Sequence, residues 1–398
     1  MGKVERRRAT IAGIAAALLV ATMTGAAPPP ADKATPERYI VTLRPAERPA
    51  TLAAGSLATE YGGAVLHTYR RALNGFVLRA TEAEARRLAA DPRVAAVEPD
   101  AVMYGSAARY YPLWNLDLVD QRSSVLDDVY QYPDSAGAGV TAYVMDTGIR
   151  TTHTQFAGRA SVGVDTVQDG WNGQDCNTEG HGTHVAGTIG GATFGLADQA
   201  GLVSVRVLGC DNQGLNSEII AGVDWITQNG VKPAVVNMSL GGGRSTALDT
   251  AVTNSINAGF TYVVSAGNWN ADACNFSPAA VPAAITVAAS NSINERATGW
   301  GGTQSGSNYG TCVDIFAPGQ EIRSAHNATD TAVRVLRGTS MASPHVAGAA
   351  ALLLADQPAL TPAEVASRLT GSATLNAIRA DTLLGTPNRL LYVEHPAE

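Results

Sequence analysis

The chain has 398 residues, of which 45% are apolar and 16% charged, a composition that indicates globular domains and excludes a disordered chain. Its formal charge is −7, but residues 107–398 alone hold 14 Lys and Arg against 25 Asp and Glu, a net charge of −11. This acidic main body argues against nucleic acid as a partner, because phosphate binding needs a basic face. Spare carboxylates suit hard cations such as calcium instead.

Residues 1–27 have the three parts of a secretory signal peptide. Positive residues come first, the apolar run 11–20 follows, and small residues at 24–26 offer a cleavage site. The run is too short to cross a bilayer as a helix, and no later segment reaches the required length of about 18 apolar residues. We therefore expect a secreted protein without a membrane anchor. A retained transmembrane anchor is the alternative interpretation of this segment.

Residues 28–106 are expected to form a small separate unit that carries no catalytic group. After a proline-rich spacer, the apolar pattern predicts strands at 39–43, 64–69, 75–79 and from 94, and helices at 52–61 and 82–90. The order β-α-β-β-α-β is that of the ferredoxin-like α+β fold. His67 stands alone in this unit, which favours a surface or packing role.

From about residue 107 the pattern changes to alternating strands and helices, which indicates an α/β domain. Apolar runs predict buried parallel strands at 140–145, 203–207, 234–238, 262–264 and 285–287. Helical stretches are predicted near 182–190, 217–228, 247–258 and 341–354. In such a sheet the functional groups lie beyond the carboxyl ends of the strands.

Three polar residues occupy suitable positions for chemistry. Asp146 directly follows a predicted strand, His181 lies in Gly-His-Gly-Thr-His, and Ser340 lies in Gly-Thr-Ser-Met-Ala-Ser-Pro-His at the start of an apolar helix. These residue types suit nucleophilic acyl transfer, because the hydroxyl needs a base and the base needs an orienting anion. Amides at a helix N-terminus can also stabilise a developing oxyanion.

Each of these residues alone has an ordinary structural explanation. An Asp after a strand or a Ser before a helix is commonly a cap. His181 and His184 have a spacing that could bind zinc, but HExxH is absent, and position alone does not say which histidine would be a base. An α/β-hydrolase esterase would need Gly-x-Ser-x-Gly, which Asn-Met-Ser-Leu-Gly lacks, and a P-loop motif is absent.

The four cysteines all lie in the later part of the chain, at Cys176, Cys210, Cys274 and Cys312. None forms a CxxC pair, which argues against a metal knuckle or a redox pair. In an exported protein they would form two disulfides, and three pairings are open.

The strings Asp-Thr-Gly, His-Gly-Thr-His-Val-Ala-Gly and Gly-Thr-Ser-Met-Ala-Ser-Pro-His, in this order, resemble the subtilisin-like serine proteases. The similarity runs through 107–398 and is greatest to the proteinase K and aqualysin branch, with support from 237–243, 264–268 and 387–392. Residues 35–105 resemble the inhibitor-type propeptide of the family. The resemblance implies a subtilisin-like parallel sheet flanked by helices, preceded by a ferredoxin-like propeptide. It also implies a secreted serine endopeptidase made as a self-processing zymogen, with a broad apolar and aromatic preference.

The resemblance assigns Ser340 as the nucleophile, His181 as the general base, Asp146 as its orienting acid and His184 as a structural residue. Asn268 matches the oxyanion-hole amide, acting with the Ser340 backbone N–H. The residues implied to bind substrate, along two edges and around one pocket, are Asn212, Gln213, Gly214, Ser239, Leu240, Gly241, Ala266, Gly267 and Phe276. The implied partners are protein and peptide substrates and the propeptide as an intramolecular inhibitor; we expect a monomer. The alternative is an inactive, peptide-binding relative, against which the complete set of triad residues argues.

The resemblance also implies the disulfides Cys176–Cys210 and Cys274–Cys312 and two structural calcium sites. One site would use Asp117, Asp120, Gln121 and Asp127, for which a solvated acidic turn is the alternative. The other would use the carbonyls of Pro282 and Ala284 with the Asp314 carboxylate.

Three positions depart from the family pattern. Asn212 stands where a glycine is usual, the loop 298–307 is longer, and Val185 replaces the cysteine that proteinase K carries in its histidine motif.

Overall fold

The computed structural model of the protein describes residues 37–45, 49–100, 106–301 and 305–395. The chain divides into two units, one before residue 103 and one from that residue onward. The predicted signal peptide, 1–27, lies outside the described residues. Among the described residues, none of the helices combines the length and the apolar character needed to span a bilayer.

The first unit has the predicted order of helices and strands. Its elements are β1 (Glu37–Leu43), α1 (Ala50–Tyr61), β2 (Ala64–Thr68), β3 (Gly75–Ala80), α2 (Glu82–Ala89) and β4 (Val94–Pro99). The strands form one antiparallel sheet in the order β2-β3-β1-β4. Alternate strand residues such as Val41, Phe76 and Leu78 form a core with Leu57 of α1 and Leu88 of α2, so both helices pack against this sheet. The ferredoxin-like arrangement predicted from the apolar pattern is confirmed.

The second unit begins with a hairpin and continues as a series of parallel strands and helices. Its first elements are β5 (Ser106–Tyr110), α3 (Trp114–Asp117), β6 (Val129–Pro133), β7 (Thr141–Asp146), β8 (Ala160–Asp165), α4 (His181–Gly190), β9 (Gly201–Arg206), α5 (Asn216–Asn229), β10 (Ala234–Met238), β11 (Gly242–Gly243), α6 (Thr246–Asn257) and β12 (Thr261–Ser265). These are followed by β13 (Phe276–Ser277), β14 (Ile285–Ser290), β15 (Ile315–Pro318), β16 (Ile322–Ala325), β17 (Val333–Leu336), α7 (Thr339–Asp356), α8 (Pro362–Ser372), β18 (Thr374–Leu375) and β19 (Arg389–Leu390). Short 3₁₀ turns lie at Thr154–Phe156, Ala273–Asn275 and Ala380–Thr382.

The main sheet of this unit has nine strands in the order β18-β19-β15-β14-β12-β10-β7-β9-β8. Its neighbouring strands are parallel, except for the antiparallel pair β18–β19. Successive residues of β7 enter different cores: Ala142 and Val144 pack with α4 and α7, whereas Tyr143 and Met145 pack with α5 and α6. A strand buried on both faces explains the continuous apolar runs in the sequence. The predicted parallel sheet flanked by helices is confirmed.

Helix α7 lies at the centre of the unit and contacts α4 and the strands β10, β12, β14 and β15. It is apolar on almost every side and rich in alanine, which lets it lie close to the sheet. The five predicted strands and four predicted helices of the unit are present, with ends that differ by at most three residues. The pattern did not predict β8, β15, the hairpin β16–β17 or α8.

Both implied disulfides are present, Cys176–Cys210 and Cys274–Cys312. The first joins the segment before α4 to the segment after β9. The second joins the short turn after β12 to the segment before β15. Each closes a loop of more than thirty residues, which restricts the unfolded chain.

Candidate active site

The three predicted catalytic residues lie at the ends of three elements. Asp146 is the last residue of β7, His181 is the first residue of α4, and Ser340 is the second residue of α7. Next to His181, a Cβ on Gly182 would lie 2.2 Å from the Gly148 carbonyl oxygen, so only glycine lets α4 begin this close to the end of β7. The parallel topology therefore brings the strand end and the helix starts to one side of the sheet.

Asp146 and His181 form a buried pair. The distance from His181 Nδ1 to Asp146 Oδ1 is 2.7 Å, and the same oxygen accepts the Thr147 N–H at 2.7 Å. Burial opposes protonation of His181, but the charge and hydrogen bond of Asp146 outweigh it and raise the pKa of the imidazole, with Asp175 and Glu179 adding to the effect. With its Nδ1 proton held by the carboxylate, the neutral ring offers Nε2 as a proton acceptor.

A second buried carboxylate, Asp175, ties the strand end to the helix start. It accepts hydrogen bonds from Thr147 Oγ1 at 2.9 Å, from Thr183 Oγ1 at 2.6 Å and from the backbone N–H groups of Thr183 and Asn177 at 3.0 Å. Thr147 follows Asp146, and Thr183 lies two residues after His181. Asp175 thus holds Asp146 and His181 in place through their neighbours in the sequence. No sequence motif predicted this role.

Ser340 is 8% exposed and is held against the residue Ser239. Its Oγ donates to the Ser239 carbonyl at 3.1 Å, and Ser239 Oγ donates to the Ser340 carbonyl at 2.9 Å. That carbonyl is available because Pro344, four residues on, has no N–H to complete the helical hydrogen bond. The Ser340 hydroxyl therefore does not donate to His181 here; catalytic hydrogen bonds commonly tighten only when substrate binds.

The side chain of Asn268 has a defined orientation. Its Oδ1 accepts the Thr339 backbone N–H at 2.9 Å and Thr339 Oγ1 at 2.8 Å. Because a backbone N–H can only donate, the atom facing Thr339 must be the oxygen, which leaves Nδ2 as the free donor. Thr339 Oγ1 in turn accepts the Gly267 N–H at 3.1 Å. The role of Thr339 was not predicted, although it lies in the serine motif.

Most of the predicted catalytic and substrate-binding residues line one cleft of about 350 Å³. It is lined by His181, Ser340 and Asn268 together with Asn212, Gln213, Gly214, Ser239, Leu240, Gly241 and Gly267. Two predicted pocket residues do not line it. Ala266 is completely buried behind the cleft, and Phe276 stacks on Trp269, with 4.5 Å between the ring centres. Trp269 itself lines the cleft beside Asn268 and was not predicted, although an aromatic residue at this position was visible in the sequence.

The glycine position occupied by Asn212 has a clear conformational requirement. Asn212 has a φ of +62°, in the left-handed region that glycine adopts most easily. Asparagine is one of the few other residues that tolerate this region. The rim of the cleft therefore keeps its turn despite the substitution, with the Asn212 N–H donating to the Gly209 carbonyl at 3.0 Å.

His184 is placed differently from His181. It is fully buried, its Nε2 donates to the Ile322 carbonyl at 2.9 Å, and burial lowers its pKa to about 3. A histidine held neutral by burial and turned to another segment has a structural role.

The first implied calcium site has one buried carboxylate oxygen that suits a cation. Asp120 Oδ1 is buried and has no hydrogen-bond partner among the described residues, while Oδ2 accepts the Gln131 N–H at 2.5 Å. Burial, followed by the charges of Asp127 and Asp117, raises the pKa of Asp120 to about 7. A cation bound at Oδ1 would relieve both the missing hydrogen bond and the raised pKa. In the described part of the chain, however, the carboxylate oxygens of Asp117, Asp120 and Asp127 do not all lie within 4.8 Å of one another, and both Asp117 oxygens accept backbone N–H groups. Gln121 donates to the Val125 carbonyl through Nε2.

The residues of the second implied site, Pro282, Ala284 and Asp314, line a single cleft. Asp314 Oδ2 accepts the Thr286 N–H at 2.8 Å, and burial raises the pKa of this carboxyl group. The buried carboxylate is the one group of this set that the structure shows to suit a hard cation, and Arg389 borders the same cleft and partly compensates its charge.

Comparison with known proteins identifies the family of the chain. Residues 137–389 match the Subtilase family, and residues 38–105 match Peptidase inhibitor I9. The "Extracellular serine proteinase" of Thermus sp. (strain Rt41A) is 53% identical over 331 residues, which is 83% of this chain and 78% of that protein. The "Alkaline serine exoprotease A" of Vibrio alginolyticus is 41% identical over 382 residues, covering 91% of this chain and 68% of that protein.

A solved structure, described as the crystal structure of a cold adapted subtilisin-like serine proteinase, has a TM-score of 0.66 and 48% identity. It covers 71% of this chain and 99% of the other. The family predicted from the three motifs is confirmed, and so is the enzyme class. The chain belongs to the subtilase family of serine proteases, in the proteinase K and aqualysin branch, and carries an inhibitor I9 propeptide.

Proposed function

We propose that the protein is a secreted serine endopeptidase that hydrolyses peptide bonds through Asp146, His181 and Ser340. The observation that carries the proposal is the buried 2.7 Å contact between Asp146 and His181, together with the cleft that His181 and Ser340 both line. The extracellular relative from Thermus supports secretion, as does the signal-like pattern at 1–27.

In the proposed mechanism, Ser340 Oγ leaves the Ser239 carbonyl and attacks the scissile carbonyl carbon. His181 Nε2 takes the hydroxyl proton, and the charged imidazole is stabilised by Asp146. The carbonyl π electrons move onto oxygen, where Asn268 Nδ2 and the Ser340 backbone N–H donate hydrogen bonds. His181 then gives its proton to the leaving amine as the C–N bond breaks. Water repeats the cycle on the acyl-enzyme.

The walls of the cleft suit extended peptides. Residues 239–241 and 212–214 both line it, and we propose that a substrate strand adds to the backbone of these two segments. Leu240, Gly267 and the Trp269 ring give the wall an apolar surface. We therefore propose a broad preference for apolar and aromatic residues before the scissile bond.

We further propose that the protein is made as a precursor with a signal peptide at 1–27, a propeptide at 28–106 and a peptidase domain at 107–398. The I9 match supports intramolecular inhibition by the propeptide. Strand β5 begins at Ser106 and pairs with β6, so a cut near Ser106–Ala107 would leave this hairpin at the new N-terminus. The monomeric state and two structural calcium ions, at the sites of Asp120 and Asp314, are part of the proposal.

The test uses the Ser340→Ala precursor, expressed in a host that lacks other proteases. We expect this variant to clear no casein and to remain uncut, whereas the wild-type chain clears casein until phenylmethylsulfonyl fluoride is added. N-terminal sequencing and the mass of the secreted wild-type chain locate both cuts. Casein hydrolysis by Ser340→Ala would refute the triad, and processing of this variant would refute self-cleavage. A wild-type chain that binds peptides without cutting them would be an inactive relative.

A further inference from the structure

One side chain outside all the sequence motifs, Asn308, holds the loop 266–271 that carries Asn268. Asn308 is completely buried. Its Nδ2 donates to the Ala266 carbonyl at 2.8 Å, and its Oδ1 accepts the backbone N–H groups of Trp269 at 3.0 Å and Ala271 at 3.1 Å. These three contacts lie on both sides of Asn268.

The loop needs such a partner because it follows the end of β12 and has no strand or helix of its own. The backbone of 306–309 pairs with several of its polar groups: the carbonyls of residues 267, 268 and 271 and the N–H of residue 270. The Ala266 carbonyl and the N–H groups of Trp269 and Ala271 remain, and they are the groups that the Asn308 side chain binds. A primary amide is suited to this task, since it is an uncharged group that both donates and accepts.

Gly267 shows how closely the Asn308 side chain approaches the loop. Its φ is +102°, and a Cβ there would lie 2.5 Å from Asn308 Nδ2. A larger residue at position 267 would therefore displace the amide that binds the loop.

A buried arginine braces the segment next to Asn308. The Arg296 guanidinium donates to the Ser307 carbonyl at 2.5 Å, to Asn270 Oδ1 at 2.8 Å and to the Thr382 carbonyl at 2.8 Å. Asn270 belongs to the loop and Ser307 precedes Asn308, so the arginine joins the two segments that Asn308 also joins.

We propose that Asn308 is a positioning residue for the oxyanion hole, an inference that rests on the proposed function. Thr339 holds the side-chain amide of Asn268. Asn308 holds the backbone beside it, by accepting the N–H of Trp269. An oxyanion donor works only within about 2.7–3.1 Å of the developing charge, so a small shift of this backbone weakens stabilisation of the transition state. Binding of the ground-state substrate along the cleft walls at 212–214 and 239–241 depends much less on the shift. Gly267 and Trp269 also line the cleft and belong to the loop, so the test uses a substrate and a product with alanine before the scissile bond, which make little use of that wall.

The experiment compares Asn308→Ala and Asn308→Asp with the wild-type enzyme on a peptide anilide that carries alanine before the scissile bond. Asn308→Asp keeps the acceptor for Trp269 and Ala271 and loses the donor to Ala266. The matched control is Asn388→Ala, because Asn388 binds the N–H of Ile378 at 2.8 Å and its carbonyl at 2.6 Å, away from the cleft. Three quantities are measured: kcat and KM, the melting temperature, and inhibition by a peptide aldehyde and by the product peptide.

We expect Asn308→Ala to lower kcat by about 10- to 100-fold with little change in KM, less than the loss of about 10²–10³-fold typical for removing an oxyanion donor itself. The aldehyde, whose adduct with Ser340 places an oxygen in the hole, should bind more weakly by a similar factor. Binding of the product peptide should stay within about twofold. Asn308→Asp should be intermediate, and Asn388→Ala should lower the melting temperature without changing kcat.

A fall in melting temperature with unchanged kcat in the Asn308 variants would overturn the inference, as would an equal loss for the aldehyde and the product. If Asn308→Ala does not fold, Asn308→Asp decides by the same criteria. Asn268→Leu and Ser340→Ala distinguish a failure of the proposed function from a failure of the positioning role. If those two variants stay active, the proposed function fails; if they lose activity while the Asn308 variants keep it, only the positioning role fails.

Discussion

Replacing Arg206 with methionine should destabilise the peptidase unit and loosen the end of β7. Arg206 is completely buried at the end of β9. Its guanidinium donates to both oxygens of Asp169, at 2.6 and 2.8 Å, and to Asp165 at 3.0 Å. Its Nε donates to the carbonyl of Thr147, the residue after Asp146, at 3.1 Å. Methionine keeps much of the stem volume and removes every one of these donors.

The magnitude follows from what the substitution leaves behind. Breaking a buried ion pair typically costs about 3–5 kcal/mol, because the remaining charge has no partner. In Arg206→Met the charge left without a partner is Asp165, because only 10% of its side chain is exposed. The side chain of Asp169 is 36% exposed and can be hydrated instead. Asp165 keeps the N–H groups of Val167 and Gly173, so we expect a loss near 3 kcal/mol. For a unit of residues 103–398 this corresponds to a fall in Tm of about 5 °C.

The assay is calorimetry of mature enzyme blocked with phenylmethylsulfonyl fluoride, which prevents autolysis. Arg334→Met is the matched control, because Arg334 pairs with Glu179 at the surface, where an ion pair contributes about 0–1 kcal/mol. Adding Asp165→Asn to Arg206→Met removes the unpaired charge and should recover part of the loss. The reasoning is refuted if Arg206→Met costs no more than Arg334→Met, or if the double variant is no more stable than Arg206→Met.

Two further predictions concern pH and calcium. Since the pKa of His181 is raised above 6.5, the midpoint of the acid limb of kcat/KM should lie above pH 6.5. Below this midpoint His181 is protonated and cannot accept the Ser340 proton. Because the pKa of His181 is raised in the folded state, the charged Asp146–His181 pair stabilises the fold below pH 6.5, and this contribution is lost as the pH rises through the folded-state pKa. A midpoint of the acid limb below pH 6.5 would contradict both the activity and the stability prediction. Chelation should lower Tm, because calcium at the two proposed sites would bind only the folded state. Asp120→Ala or Asp314→Ala should each remove part of the calcium dependence seen by calorimetry. An unchanged dependence in both variants would count against both sites.

The position of the site could be predicted because its main residues lie in long motifs and at element ends. Asp146, His181 and Ser340 each follow or begin an element whose apolar pattern is clear, and parallel strands place such residues at one edge. The same patterns predicted the antiparallel unit at 37–100, where helices and strands alternate in a recognised order.

The supporting residues could not be predicted in this way. Asp175, Arg206 and Asn308 act through partners far away in the sequence, and a single buried polar residue produces no periodic pattern. Edge strand β8 was missed because none of its residues is fully buried, so it has no continuous apolar run. The orientation of the Ser340 hydroxyl could not be predicted either, because the sequence does not reveal its hydrogen bond to the Ser239 carbonyl.

The position of α7 in the chain determines when the cleft can first exist during synthesis. This helix covers the centre of a sheet whose strands β7 to β15 all precede it in the sequence. Until residues 339–356 have left the ribosome, the strands lack the helix that packs on them, and Ser340 and the first turn of α7 are missing from the cleft. A nascent chain therefore holds Asp146 and His181 without Ser340. With Ser340 as the proposed nucleophile, the order of translation keeps the unfinished polypeptide from cutting its neighbours before the propeptide has to block the cleft.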